Sequence, residues 1–305
     1  MYSRLLAIGL AAALGGCSLH HPYGAEDYAG LLEAPAGPRA GELVLTFFEV
    51  VHGDAYLVEF PNGRRLLVDG GFSSCPHQIF EYFEARGIES LDAVLLTHPH
   101  WDHYGGLAEV VRRVPVGVFL SNGECDGIGP WGRLDETLGE RGVARRSLRR
   151  GDRLDDLSGP DVSIEVLLPD SAALAQGGNH NRGSIVLSLE HGENRFLMTG
   201  DAEAPEESRL LELEGPRLEA DVLKLGHHAS RGSGTEAFLR AVRPRVAVAQ
   251  GTAFANVPFV YPRPSPGIRR ALGEIGTRLM TVDDEGAIQI ASDGRALRVA
   301  TMAAR

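Results

Sequence analysis

Leu95-Leu96-Thr97-His98-Pro99-His100-Trp101-Asp102-His103-Tyr104-Gly105-Gly106 decides how the rest of the chain is read. Val94, Leu95 and Leu96 end an apolar run that reads as a buried strand. Three histidines and an aspartate follow within residues 98–103. His98 and His100 stand two apart, so an extended turn points both the same way. Asp102 and His103 come on the next bend, where they can serve a second ion. Gly105 and Gly106 permit tight turning before a helix begins. Imidazole together with carboxylate suits zinc, with manganese or iron as the other options. The plain alternative is a solvated polar loop with incidental histidines. Four potential ligands at this spacing, directly after an apolar strand, argue against it.

The pattern H-x-H-x-D-H resembles the metallo-β-lactamase fold superfamily. That resemblance implies an α/β (α+β) chain built as a four-layer αβ/βα sandwich, and it implies two divalent ions, zinc first. Two further stretches carry it. Asn179-His180-Asn181-Arg182-Gly183-Ser184 resembles the context of the superfamily's third histidine. Thr199-Gly200-Asp201 resembles that of its bridging aspartate. By this resemblance His98, His100 and His180 hold one ion, Asp102, His103 and His228 hold the other, and Asp201 bridges them. A carboxylate has two oxygens and so can bind two cations. Asp69 is expected behind a ligand histidine, orienting it through its free N–H. Either histidine of His227-His228 can be the ligand. His228 is preferred, because His-x-Ser resembles the closing context of the phosphodiesterase branches. His227 then faces substrate as a proton donor, with Asp102 as the other catalytic candidate.

The branch is set by Phe48-Glu49-Val50-Val51-His52-Gly53-Asp54-Ala55 and by Asp221-Val222-Leu223-Lys224-Leu225-Gly226-His227-His228-Ala229-Ser230. Both resemble ComEC-like domains, the metal-dependent part of competence proteins, and Tyr261-Pro262-Arg263-Pro264 onward resembles their closing segment. Four residues depart from that pattern. His52 stands where glutamine is usual, His100 where aspartate is frequent, Ala229 where glycine is usual, and Arg263 where histidine is common. Arg263 offers a planar cationic fork for phosphate or carboxylate, and Lys224 is a second expected substrate contact. No stretch resembles the membrane channel of competence proteins, so DNA uptake is not expected of this chain alone.

The 305 residues are 43% hydrophobic and 23% charged, with a formal net charge of −11. This is enough for a well-filled core and gives no general basic footprint for nucleic acid. Residues 1–16 combine a short positive start with an alanine-rich apolar run too short for a comfortable span. Leu14-Gly15-Gly16-Cys17 resembles the bacterial lipoprotein lipobox. It implies acylation of Cys17 and a cell-envelope location, at an outer membrane facing the periplasm. Residues 17–41 read as a tether and 42–305 as the hydrolase domain. Cys75 and Cys125 are available for a disulfide in an exported chain, though sequence alone does not fix their geometry.

In the body of the chain, residues 43–50, 55–60, 65–69, 91–97 and 116–120 read as strands, with helices over 76–86 and 106–114. Residues 123–154 read as an irregular, arginine-rich insertion, a lid or a surface excursion. Beyond them, strands are expected over 162–168, 184–190, 195–198, 221–225, 246–250 and 279–282, and helices over 205–213, 235–242 and 265–275. A closing hairpin is expected around Asp284-Glu285-Gly286 and Asp293-Gly294. The expected activity is hydrolysis of a small-molecule or nucleic-acid phosphodiester by a metal-bridging hydroxide on a lipid-anchored chain. The alternatives are an ester, lactone or β-lactam hydrolase of the same fold, and a non-catalytic, metal-stabilised surface lipoprotein binding DNA or an envelope partner. No dedicated protein partner is expected.

Overall fold

Strand alternation in this chain sends every second side chain to a different layer. Leu66 and Val68 point into one apolar cluster while Leu67 between them points into another. Ala93 and Leu95 divide from Val94 and Leu96 in the same way. The computed structural model describes residues 38–50, 52–72, 76–124, 130–175, 178–251 and 263–301. Cys17, Cys75 and Cys125 lie outside them, and so do the signal-like start and nearly all of the expected tether.

Two mixed sheets form the centre. The first has eight strands in the order β14-β13-β1-β2-β3-β4-β5-β6. Its strands are β1 Leu43–Phe47, β2 Tyr56–Glu59, β3 Arg65–Val68, β4 Leu91–Leu96, β5 Val116–Ser121, β6 Ala144–Ser147, β13 Ile288–Ser292 and β14 Leu297–Thr301. The second has six, in the order β12-β11-β10-β9-β8-β7. These are β7 Val162–Leu168, β8 Val186–His191, β9 Asn194–Met198, β10 Val222–Lys224, β11 Val246–Ala249 and β12 Arg278–Thr281. Each sheet has an antiparallel part and a parallel part. β3, β4, β5 and β6 run parallel in one, and β9, β10, β11 and β12 in the other.

Between the sheets lies the main core, where Leu45, Val68 and Leu95 meet Val166, Leu187, Phe196 and Val222. Helices α1 His77–Arg86, α2 Leu107–Arg113 and α3 Pro130–Glu140 cover the outer face of the first sheet through residues such as Ile79, Leu107, Val110 and Leu134. Helices α4 Ala204–Glu214, α5 Glu236–Val242 and α6 Pro266–Glu274 cover the second through Leu210, Phe238, Leu239, Ile268 and Leu272. The result is the expected four-layer αβ/βα sandwich.

Two expectations need correction. The insertion at 123–154 is not irregular throughout, since α3 and edge strand β6 lie within it. Trp131, Leu134 and Leu138, all buried against the first sheet's outer layer, supply the helical stripe. Asp284-Glu285-Gly286 is not a hairpin turn either. Thr281 caps a short helical turn, Val282–Glu285, by accepting from the Asp284 amide at 3.2 Å. The closing hairpin is made by β13 and β14 alone.

The loops that matter leave the carboxyl ends of the parallel strands, where open α/β sheets place their ligands. Asp69 follows β3, His98 follows β4, Asp201 follows β9, His228 follows β10 and Gly251 follows β11. Backbones close tightly at this end. Gly53 has φ +89°, and a Cβ on it would lie 1.7 Å from the Asp102 carbonyl oxygen. Neither the conformation nor the space admits a side chain. Gly53→Ala is therefore expected to destabilise by about 3 kcal/mol or more, read as a lowered urea midpoint. A loss within about 0.5 kcal/mol, the range of ordinary surface changes, would show that the two loops are not in contact.

Candidate metal centre

Asp201 is the point of convergence. Thr199-Gly200-Asp201 leaves β9 with Gly200 at φ +51°. The Asp201 amide donates to Ser184 Oγ at 3.1 Å. This turns the Asp201 carboxylate, 1% exposed, toward the histidine loop. Its Oδ2 stands 3.3 Å from His103 Nε2, 3.4 Å from His228 Nε2 and 3.7 Å from His98 Nε2. His228 Nε2 is also 3.5 Å from Asp102 Oδ2. His98 Nε2 and His100 Nδ1 are 2.9 Å apart. His98, His100 and Asp201 form one convergent group, Asp54, His103, Asp201 and His228 a second, and His52, Asp102 and His228 a third.

Ring orientation is fixed from behind. Asp69 accepts from the Thr97 amide and the Thr97 hydroxyl, each at 2.8 Å, and contacts His103 Nδ1 at 2.8 Å. With its hydroxyl hydrogen given to Asp69, Thr97 Oγ1 can only accept from His98 Nδ1, 3.1 Å away. One carboxylate thus sets His103 directly and His98 through Thr97, leaving Nε2 of both facing Asp201. Asp54 Oδ1 stands 3.3 Å from His228 Nδ1 with neither atom hydrogen-bonded, which leaves Asp54 a further candidate donor beside His103, Asp201 and His228. Asp54 is in turn paired with the Lys224 ammonium.

Charge follows this packing. Burial, and then the charge of His103, push His98 well below the ordinary histidine range. Burial also opposes charge on His103 and His228, but neighbouring carboxylates prevail. Asp201 and Asp69 hold His103 well up, and Asp201 with Asp102 holds His228 up to about 10. Burial would raise Asp201, yet His228 and His103 keep it well below the usual carboxylate range. Burial, reinforced by the charge of His228, lowers His52 to about 4.

The donor set fits divalent ions. His103 Nε2, His228 Nε2 and Asp201 Oδ1 are buried without hydrogen-bond partners, an arrangement proteins avoid unless something else satisfies the atoms. Ligands about 2.0–2.1 Å from a tetrahedral zinc stand about 3.3–3.4 Å apart. The 3.3–3.5 Å separations around Asp201 and Asp102 match that spacing. Ordinary charge-assisted hydrogen bonds are shorter, about 2.7–2.9 Å.

Not every expected residue takes its expected place. His228 is buried within the cluster, while His227 keeps 28% of its side chain exposed and gives Nδ1 to Glu203 Oε1 at 2.7 Å. His180 is not among the converging donors. It opens a short turn capped by Asn179, its ring centroid is 5.6 Å from that of His100, and its Nδ1 faces Glu124 at 3.6 Å. Lys224 is not a substrate contact. It is 0% exposed and donates to Asp54 and to the Gly200 carbonyl, behind the centre. Arg263 lies within electrostatic reach of Asp201 and Asp102, and its Nη1 is buried without a hydrogen-bond partner. Asp54, His52, Glu203 and Glu124 were missed from the site by sequence reasoning. For the first two, the stretch resembling the competence-protein opening was the available signal.

The backbone at His227-His228-Ala229 is left-handed throughout, with φ 44°, 53° and 56°. Three such residues in succession are sterically disfavoured. Gly226 lets this run in, because a Cβ there would sit 2.2 Å from the Ala202 carbonyl oxygen.

A two-sheet sandwich with a histidine–aspartate centre at the strand ends defines a class of metal-dependent hydrolase folds. The comparisons agree. The profile described as the metallo-beta-lactamase superfamily matches residues 49–251, and the chain belongs to that superfamily. ComE operon protein 3 of Bacillus subtilis is 30% identical over 266 residues, 79% of this chain and 32% of that one. Competence protein ComA of Neisseria gonorrhoeae is 28% identical, over 84% of this chain and 33% of that one. The chain thus spans about a third of the length of these curated relatives. The crystal structure of the metallo-beta-lactamase fold protein YhfI from Bacillus subtilis matches 83% of this chain and 100% of its own, with TM-score 0.53 and 14% identity. That likeness concerns the fold.

Lys224→Met is expected to leave the buried Asp54 charge without its ammonium partner, and so to destabilise by about 3–5 kcal/mol. Urea unfolding measures it. A loss below about 1 kcal/mol, in the range of exposed ion pairs, accompanied by a raised KM, would return Lys224 to the substrate side.

Proposed function

We propose that the chain is a dinuclear metal-dependent phosphodiesterase. His98, His100 and Asp201 would hold one ion, and Asp102, His103, His228 and Asp201 the other. Zinc suits this mixture of imidazole and carboxylate best. Paired ions of this kind supply charge neutralisation at phosphoryl oxygens and an acidified water.

The observation that carries the phosphodiester reading is Arg263. A buried guanidinium N–H without a hydrogen-bond partner, on the rim of a carboxylate-rich centre, is suited to an anionic oxygen that arrives with substrate. A phosphodiester brings a monoanionic oxygen on the reacting phosphorus itself, whereas the carboxylate of a β-lactam stands away from the reacting carbonyl and a simple lactone carries no anion. With His180 standing aside, His98, His100 and Asp201 would be the three protein donors to the first ion, the number typical of catalytic zinc sites. Among the described residues, Trp101 is the exposed large hydrophobic side chain, at 48%. It follows His100 and offers an apolar face to the organic part of a substrate. His227 accounts for the departing oxygen. When the ring is doubly protonated, Glu203 accepts from its Nδ1–H and its Nε2–H is the proton given up, so that the alkoxide leaves as an alcohol. Asp102, the other acid considered, stands within the ligand group and is left to the metal.

The lipobox-like start supports acylation of Cys17 and residence in the cell envelope, tethered to an outer membrane. No helix among the described residues is long and apolar enough to cross a membrane, so membrane attachment in this reading rests on the acyl chains. Each buried CH2 of such chains contributes about 0.8 kcal/mol.

Zinc-loaded protein lacking residues 1–17 should hydrolyse bis-p-nitrophenyl phosphate and leave nitrocefin and a simple lactone untouched. Arg263→Ala should raise KM for the phosphodiester at least tenfold with kcat largely kept, the mark of lost uniform binding. Asp201→Ala should abolish turnover and metal retention together. Turnover of nitrocefin or lactone in preference to the phosphodiester would overturn the reading. For the anchor, Cys17→Ser should move the full-length protein from the membrane fraction to the soluble one with its turnover unchanged. Unaltered fractionation would remove the acylation proposal.

A further inference from the structure

We propose that His52 is a ligand of the ion held by Asp102 and His228, through its Nε2. This rests on the dinuclear reading above and adds to it a donor that the resemblance does not supply, since glutamine is usual at this position.

The case begins with a hydrogen atom. His52 Nδ1 lies 3.1 Å from the Gly251 carbonyl oxygen. A carbonyl only accepts, so Nδ1 carries the hydrogen. In the neutral ring, Nε2 then presents a lone pair, and it faces Asp102 Oδ2 at 3.3 Å. Two acceptors directed at each other need a positive charge between them. A second proton would supply it, making His52 an imidazolium paired with Asp102, and so would a metal ion ligated by both; the Arg263 guanidinium also acts on both groups. The separation distinguishes them. A charge-assisted N–H to carboxylate contact runs about 2.7–2.9 Å, whereas two ligands about 2.0–2.1 Å from one zinc stand about 3.3–3.6 Å apart at the angles of about 109–120° that four- and five-coordinate zinc allows. His228 Nε2 reaches the same Asp102 oxygen at 3.5 Å, and the His52 and His228 ring centroids are 4.8 Å apart. His52, Asp102 and His228 form a convergent group of donors.

The ring is also held for the task. Phe72 stacks on it at 5.5 Å between centroids, and Trp101 braces Phe72 edge-on at 4.2 Å. The backbone beneath has no slack. Gly53 packs on the Asp102 carbonyl, and a Cβ on Gly251 would lie 2.5 Å from the Gly53 nitrogen and oxygen. The main chain that carries His52 is therefore fixed against the ligand loop. Rigid presentation of a nitrogen donor raises affinity, because no ordering is left to be done when the ion arrives. A glutamine amide at the same place offers zinc a much poorer donor.

Chelator-competition titrations of metal-free protein with zinc test this in wild type and in His52→Gln. Wild type should take up two ions. The variant should keep the affinity of one ion, which doubles as its folding control, and bind the other at least tenfold more weakly. Equal affinities for both ions in the two proteins would overturn the proposal. So would tighter binding of the second ion by His52→Gln, the result expected if His52 is an imidazolium that competes for Asp102. Uptake of fewer than two ions by wild type would instead defeat the dinuclear reading. A second measurement avoids substitution. The 15N resonance of His52 Nε2 in labelled wild type should shift on zinc addition together with that of His228, and a stationary His52 signal would refute the assignment.

Discussion

The carboxylate of Asp201, buried between two sheets and surrounded by histidine nitrogens, is the constraint on which the rest of this structure depends. A buried carboxylate is tolerated only when it is paired and hydrogen-bonded. Here its partners come from β4 and β10, on opposite sheets, so its satisfaction requires the sandwich to be assembled. Ser184 holds its amide, and three imidazoles converge on one of its oxygens. The core between the sheets contributes the area-proportional part of folding, but it does not dictate how the strand ends meet. The polar centre supplies that registry.

Behind the ligands stands a second layer that is as closely specified. Asp69 orients two histidines, and Lys224 balances Asp54, which stands beside His228, from complete burial. The Gly200 carbonyl accepts from Lys224 Nζ at 2.8 Å and from the His227 amide at 3.3 Å, which ties the Asp201 turn to the His227-His228 turn. The left-handed run at His227–Ala229 is strained, and such strain persists where surrounding contacts over-determine the backbone. At this site it separates two adjacent histidines, sending His228 inward and His227 toward the rim, where Glu203 fixes it. Adjacent residues on a regular strand would point to opposite faces of a sheet. A turn of this kind lets both stay at the strand end with different tasks.

Much of this was legible in the sequence, for identifiable reasons. His98, His100, Asp102 and His103 sit within one short loop, so their spacing alone carries the chemistry. The strands showed their period of two, and Thr199-Gly200-Asp201 stood at the end of an apolar run. What was not legible is long-range pairing. A lysine at a strand end is ordinarily solvated, and nothing local announces that the partner of Lys224 is Asp54, 170 positions away. His52 is opaque for the same reason, because its partner Gly251 is 199 positions distant. His180 was misplaced because a motif context gives chain position and not ring direction. The stripe Trp131, Leu134, Leu138 was hidden by Gly132 and Gly139, whose weak helix propensity masks an otherwise regular pattern.

Anomalous diffraction from zinc-loaded crystals tests the central claim, that one carboxylate is shared by two ions, most directly. Two zinc peaks should flank Asp201, one bonded also to His98 and His100 and the other to Asp102, His103 and His228. A single peak, or two peaks of which either fails to touch Asp201, would contradict the account.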